Sequence, residues 1–301
     1  MKPISLQKGD TILIIAPAKR IEKELVDFAV KTIESNGFRV IVSENCLGKN
    51  NYFSGTLEER QKDLQWAINH PTAKAILCAR GGYGSVQIVE KVDWSAFIKN
   101  PKWIIGFSDI TIFHQFLSKI GIASLHATVP LNFPENTPES LASLFYSLEN
   151  AQLEYGWKSK TENITGETNG RLIGGNLTVL TSLIGTNLMP DYNNTILFIE
   201  DIGEALYAVD RCFQQLSKAG ILKQINGLIV GGFSSMKDSE PPYGNSLEEI
   251  IKSHFLDRNI PVAFEFPAGH CDDNRALIMR EKVEFKVQSD FAWVGSLEKK
   301  V

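Results

Sequence analysis

Short apolar runs alternating with helical segments fix the fold of the first half of this 301-residue chain. Thr11-Ile12-Leu13-Ile14-Ile15-Ala16, Phe38-Arg39-Val40-Ile41-Val42, Ala75-Ile76-Leu77-Cys78-Ala79 and Trp103-Ile104-Ile105-Gly106-Phe107 are too short for helices and read as strands. Between the first two, residues 21–36 carry Leu25, Phe28, Ala29 and Ile33 at helical spacing and stop at Asn36-Gly37, a favourable C-terminal cap. Residues 56–69 form a second helix, opened by a Thr56/Glu59 capping box and closed before Pro71. Strands that alternate with helices predict an α/β fold with a doubly wound parallel sheet, whose ligands bind at the C-terminal ends of the strands.

From about residue 134 the texture changes. Pro134-Glu135-Asn136-Thr137-Pro138 is a loop, and residues 158–170 are polar and rich in Thr, Glu and Asn. Too few apolar residues lie there to hold a core, so we expect an N-terminal domain over 1–150, a linker over 151–170 and a C-terminal domain over 171–301. The second domain mixes strands at 196–200, 227–231 and 283–287 with helices at 176–185, 207–219 and 246–257, and reads as a smaller α/β or α+β unit.

Composition narrows the class. With 43% hydrophobic and 22% charged residues the chain is globular, not disordered or collagenous. Lys+Arg 31 against Asp+Glu 35 gives a net charge of −4, which disfavours nucleic acid or an anionic membrane as main partner. Cys46, Cys78, Cys212 and Cys271 lie far apart without a C-x-x-C pair, as expected of reduced thiols without a zinc site. The N-terminus lacks the apolar core of a signal peptide, and the apolar runs are strand-sized, so a cytoplasmic protein is expected. In that setting the Asn-x-Ser/Thr matches at Asn163, Asn176 and Asn193 are chance matches.

Chemistry concentrates at strand ends. Gly106-Phe107-Ser108-Asp109 follows a strand and opens a helical pattern, the setting of a nucleophile elbow that lifts the serine Oγ above the sheet. Position +2 is Ile110 rather than glycine, and a plain N-cap serine fits the spacing equally well. Arg80-Gly81-Gly82-Tyr83-Gly84-Ser85 ends a neighbouring strand; its glycines suit a phosphate loop, an oxyanion donor or a tight turn. Both loops should share one crevice. Among the histidines, His70 and His254 read as surface residues and His114 and His126 as core or supporting ones. His270, on a loop after Pro267-Ala268-Gly269, is able to reach a cleft. Glu200 ends the buried run Ile196-Leu197-Phe198-Ile199, where a carboxylate is costly unless paired.

Taken together, Gly9-Asp10, Ile15-Ala16-Pro17, Arg80-Gly81-Gly82-Tyr83-Gly84, Gly106-Phe107-Ser108-Asp109, Gly174-Gly175-Asn176-Leu177, Glu200-Asp201-Ile202-Gly203-Glu204, Asp210-Arg211 and Gly269-His270 resemble, in order and end to end, the LD-carboxypeptidases. These are serine peptidases that include murein tetrapeptide carboxypeptidases and microcin C immunity peptidases. The resemblance implies a glutamine-amidotransferase-like N-terminal domain and a smaller, swivelling C-terminal β/α domain. It also implies a homodimer, no metal or other cofactor, and a Ser108–Glu200–His270 triad. The backbone N–H groups of Asp109 and of the Gly81-Gly82 loop, Gly82 foremost, become the oxyanion donors. Arg80, Gly81, Tyr83, Asn176 and Arg275 become candidate substrate contacts, with Arg80 or Arg275 suited by charge to a terminal carboxylate. The reaction so implied is hydrolysis of the L,D peptide bond before a C-terminal D-alanine of a murein tetrapeptide. The alternatives are an immunity-type peptidase acting on an acylated amino acid or peptide–nucleotide conjugate, and a non-enzymatic α/β ligand-binding protein. A glutamine amidotransferase is disfavoured because the elbow residue is serine, not cysteine. The loop Cys271-Asp272-Asp273-Asn274-Arg275-Ala276-Leu277 departs from the family pattern in lacking a proline after the leucine.

Overall fold

The computed structural model describes residues 1–297. The first half alternates as its apolar periodicity requires: β1 (Thr11–Ile15), α1 (Lys23–Ser35), β2 (Arg39–Val42), α2 (Leu57–Asn69), β3 (Ala75–Cys78), α3 (Ser85–Ile88), α4 (Ser95–Lys99), β4 (Trp103–Gly106), α5 (Thr111–Lys119), β5 (Ser124–His126) and α6 (Pro138–Asn150). Thr56 accepts from the Glu59 N–H at 3.2 Å while Glu59 accepts from the Thr56 N–H at 2.7 Å, so the capping box is complete. β3 and β4 are buried along their whole length, which is why they read as unbroken apolar runs.

The chain continues through β6 (Glu154–Lys158), β7 (Gly166–Asn176), α7 (Leu177–Ser182), β8 (Thr195–Ile202), α8 (Leu206–Lys218), α9 (Ile221–Gln224), β9 (Ile225–Ser234), α10 (Leu247–Ser253), β10 (Val262–Ala263), β11 (Leu277–Met279), β12 (Lys282–Val287) and β13 (Phe291–Ser296). Two sheets result, ordered β11-β5-β4-β3-β1-β2 and β10-β9-β8-β7-β12-β13-β6. β1 to β5 are parallel, and β11 closes their edge antiparallel to β5. The second sheet is mixed, and with seven strands it is the wider of the two although its segment is the shorter.

One expectation is corrected here. Residues 151–170 are not a linker: they hold β6 and the start of β7. The first half of β7 pairs with antiparallel β12 and alternates in exposure, so polar residues occupy its outer face and the stretch imitates a loop in sequence. Trp157 supplies the apolar side, donating its indole N–H to the Phe264 carbonyl at 2.8 Å and stacking on Phe285. The two units share a strand and a core. β11, from the C-terminal segment, completes the first sheet, and one apolar cluster runs from Ile105 and Leu125 to Phe198, Phe266 and Phe285. The other face of the first sheet packs on α2 to α5 together with Leu183 and Leu188, and that of the second on α7 to α10.

Candidate active site

Ser108 sits where a parallel strand turns sharply into a helix. Gly106 has φ +156 and Phe107 is extended; Ser108 itself has φ +64, and a 3-10 turn over Ser108–Ile110 leads into α5. A Cβ on Gly106 would lie 2.8 Å from Ile110, which explains the glycine two residues before the serine. An N-cap serine has extended backbone and accepts from the first helical turn; Ser108 has left-handed backbone, so it is an elbow residue and not a cap. Buried His114 fixes the strand end from beneath, its ring hydrogen-bonded to the Gly106 carbonyl and to Ser124 Oγ, each at 2.8 Å.

The glycine loop closes over this elbow. A Cβ on Gly81 would lie 2.8 Å from Ser108 Cβ, 3.0 Å from its Oγ and 3.1 Å from the Asp109 nitrogen. That side chain's place is the space an oxyanion would take between the serine and the Asp109 N–H, a first-turn donor without an intrahelical acceptor. The Asp109 carboxylate, buried, accepts from the Ser85 N–H at 2.9 Å and so ties elbow to loop. Burial raises its pKa against the opposing pull of Ser85, Gly84 and Arg60. Arg60 in turn donates to the carbonyls of Gly84 and Pro17 at 3.2 and 3.0 Å.

The candidate acid, Glu200, lies in the second sheet, and the candidate base, His270, on the loop between β10 and β11. Glu200, near the end of β8 and 0% exposed, accepts from His270 Nδ1 at 2.6 Å and from the His270 backbone N–H at 3.2 Å through the same Oε2. Gly269 permits the approach, since a Cβ there would lie 2.6 Å from Glu200 Cβ. Burial lowers the His270 pKa, but the hydrogen bond and charge of Glu200, with Asp201, outweigh it, and the net shift is upward. With Nδ1–H held by the carboxylate, Nε2 is left as the acceptor. The ring packs edge-on to Phe107, the residue before the serine, at 4.9 Å between centroids. It faces a cleft of about 160 Å³ lined also by Asn132, Asn136, Ile202 and Asp272. Among the described residues no hydrogen bond joins Ser108 Oγ to His270, and such contacts tighten when substrate binds.

The histidine loop is anchored at both ends. Gly269 bridges to Gly232 of β9, Thr137 N–H donates to the Asp272 carbonyl at 3.0 Å and Ser140 Oγ to the Asn274 carbonyl at 2.8 Å, before β11 enters the first sheet. Asn274, buried, is the residue that sequence reasoning missed: its Oδ1 accepts from the Gly269 N–H at 2.8 Å and holds the loop that presents the base. An asparagine following two aspartates signals a turn, but not which turn it supports.

Other candidates fall unevenly. Arg80 donates to the Arg20 carbonyl at 3.2 Å and keeps a buried Nε without a partner among the described residues, on the loop beside Ser108. Tyr83 is half exposed, near Phe53. Arg275 is spent on Asp273, which it grips through Nε and a terminal nitrogen at 2.9–3.1 Å. Asn176 is likewise engaged: its side chain caps α7 and donates to Asp201 at 2.8 Å, while its backbone N–H donates to Thr111 Oγ1 at 2.9 Å. It joins β7 to α5 through Thr111. His126 is buried as expected, whereas His254 is not a surface residue; its ring stacks on Phe213 and its side chain is 10% exposed.

A serine at an elbow, a backbone cradle and a carboxylate-held histidine define the machinery of a serine hydrolase. Residues 12–127 match the LD-carboxypeptidase N-terminal domain family and residues 169–285 the LD-carboxypeptidase C-terminal domain family. A chain from Synechocystis is 36% identical over 293 residues, covering 94% of each chain. The murein tetrapeptide carboxypeptidase of Pseudomonas aeruginosa is 30% identical, covering 88% of this chain and 89% of its own. The crystal structure of a muramoyltetrapeptide carboxypeptidase from Oxalobacter formigenes superposes with a TM-score of 0.89 at 27% identity, covering 97% of this chain and all of that one. This protein belongs to the LD-carboxypeptidase family.

Proposed function

We propose that the protein removes the C-terminal D-alanine from murein tetrapeptides by an acyl-enzyme mechanism on Ser108. The observation that carries this reading is the left-handed Ser108 against Gly81, with the Glu200–His270 pair at 2.6 Å on the facing sheet. In this scheme His270 Nε2 takes the Ser108 proton while Glu200 fixes the tautomer and stabilises the imidazolium. Ser108 attacks the carbonyl before the terminal D-residue. The N–H groups of Asp109 and of Gly81 or Gly82 receive the oxyanion, each donor contributing about 3 kcal/mol to the barrier reduction. His270 then protonates the leaving amine, and water, activated by the same ring, releases the acyl group. Of the two arginines considered, Arg80 is the one for the substrate carboxylate, because Arg275 is paired with Asp273.

The substrate class is supported by the named relative from Pseudomonas aeruginosa. We also infer a cytoplasmic homodimer; no helix among the described residues is long and apolar enough to cross a membrane. The test is mass spectrometry of L-Ala-γ-D-Glu-diaminopimelate-D-Ala incubated with the parent protein and with Ser108→Ala. Release of D-alanine by the parent alone supports both substrate and nucleophile. Silence from both removes the murein assignment, and a peptide–nucleotide conjugate run in parallel reports the immunity-type alternative. Sedimentation velocity on the same preparation checks the dimer.

A further inference from the structure

At the end of the strands remote from Ser108, the turn joining β11 to β12 gathers cations without matching carboxylates. Arg171 of β7 and Lys282 of β12 are direct cross-strand partners, a like-charge pairing that weakens a ladder. Between the strands, Arg280 has φ +69, a backbone conformation that residues with side chains rarely adopt. Its Nε donates to the Ser118 carbonyl of α5 at 3.2 Å, which fixes the guanidinium at the seam between the sheets. Burial and the charge of Arg171 both lower its pKa. The nearby acid, Glu281, is neutralised by Lys2 at 2.8 Å. Among the described residues Arg171, Arg280 and Lys282 form no ion pair. All five of these side chains line one cavity of about 240 Å³, in a chain whose net charge is −4.

Like-charge pairing, left-handed backbone and unpaired guanidinium groups at one place are each unfavourable alone, and a single bound anion would offset them together. We propose that this cavity binds a phosphate group, free or esterified, that bridges the two sheets. Two guanidinium forks and an ammonium suit a dianion that offers oxygens on several sides better than a carboxylate monoanion. Ala123, the residue before β5, brings the first sheet to the cavity, and Arg171 and Lys282 bring the second. Arg171 pairs with Thr195, the first residue of β8, whereas Glu200 lies toward its other end. Binding therefore stabilises the junction between the sheets without entering the catalytic chemistry.

The intact protein is titrated with inorganic phosphate, pyrophosphate and a nucleoside 5′-diphosphate at constant ionic strength in chloride, with calorimetric heat and Tm as readouts. Saturable binding and a Tm rise of a few degrees are expected. Binding of the inorganic anions points to a free phosphate as ligand, and binding of the nucleotide alone to an ester. Arg171→Gln and Arg280→Gly are each expected to weaken binding at least tenfold. Both should fold, since the first removes a like-charge pair and the second puts glycine where φ is +69. Absence of saturable binding by all three anions overturns the proposal. So does equal affinity in parent and variants, or a response no larger than that to added chloride.

Discussion

At the scale of single residues, the site is held in conformations that cost stability. Ser108 at φ +64 is the clearest case. Ser108→Gly should abolish hydrolysis yet raise stability by about 1 kcal/mol, because glycine takes that backbone without strain; chemical denaturation beside an activity assay reads both. Gly81→Ala is expected to lower kcat by roughly 10²–10³-fold with the fold retained, since its methyl group would occupy the space beside Ser108 Oγ and the Asp109 N–H. Glu200 raises the His270 pKa, and a histidine base works only when neutral, so with His270 in the proposed role the acid limb of kcat/KM should lie above the ordinary histidine value. Glu200→Gln should move that limb to lower pH while cutting kcat by several orders of magnitude; an unmoved limb would remove Glu200 as the partner of the base. The residue types at these positions were legible in the sequence. The cap reading of Ser108 was equally so, and only the backbone conformation at φ +64 separates the two.

Among the elements, those with local signals are legible in the sequence and those without are not. The box at Thr56 and Glu59, the Asn36-Gly37 stop and the buried runs of β1, β3 and β4 are written in adjacent residues. β6 and the outer half of β7 are half-solvated, and their polar faces hide them. The buried histidines show a further consequence of element packing. His114, between β5 and the end of β4, has its pKa pushed down to about 4 by burial, and His126 lies well below the ordinary value. Both are neutral in the fold and take up protons once unfolded. The His114 contribution is therefore complete above about pH 6.5 and lost as pH falls toward 4, on the order of 3 kcal/mol. Tm measured across this range should fall steeply, and His114→Gln, with a neutral amide, should flatten the slope.

For the whole molecule, the shared core and β11 couple the two sheets. We expect one cooperative calorimetric transition for the intact chain, and a fragment of residues 1–150, deprived of β11 and of Phe198 and Phe266, that fails to give a sharp transition. Two separated transitions would show that the units fold independently. What the sequence determined by itself was local or compositional: the α/β alternation, the strand-to-helix turn at Gly106-Phe107-Ser108, and the supply of one serine, one buried glutamate and a loop histidine. Chain periodicity reports a residue's neighbours along the backbone, and those features depend on nothing else. Tertiary structure decided which histidine meets Glu200, that Asn274 holds its loop, that Arg275 pairs with Asp273 and Asn176 with Asp201, and that a strand from the second half completes the first sheet. Those outcomes rest on through-space contacts between residues far apart in the chain, where hydrogen-bond reach and burial, not spacing, set the partners.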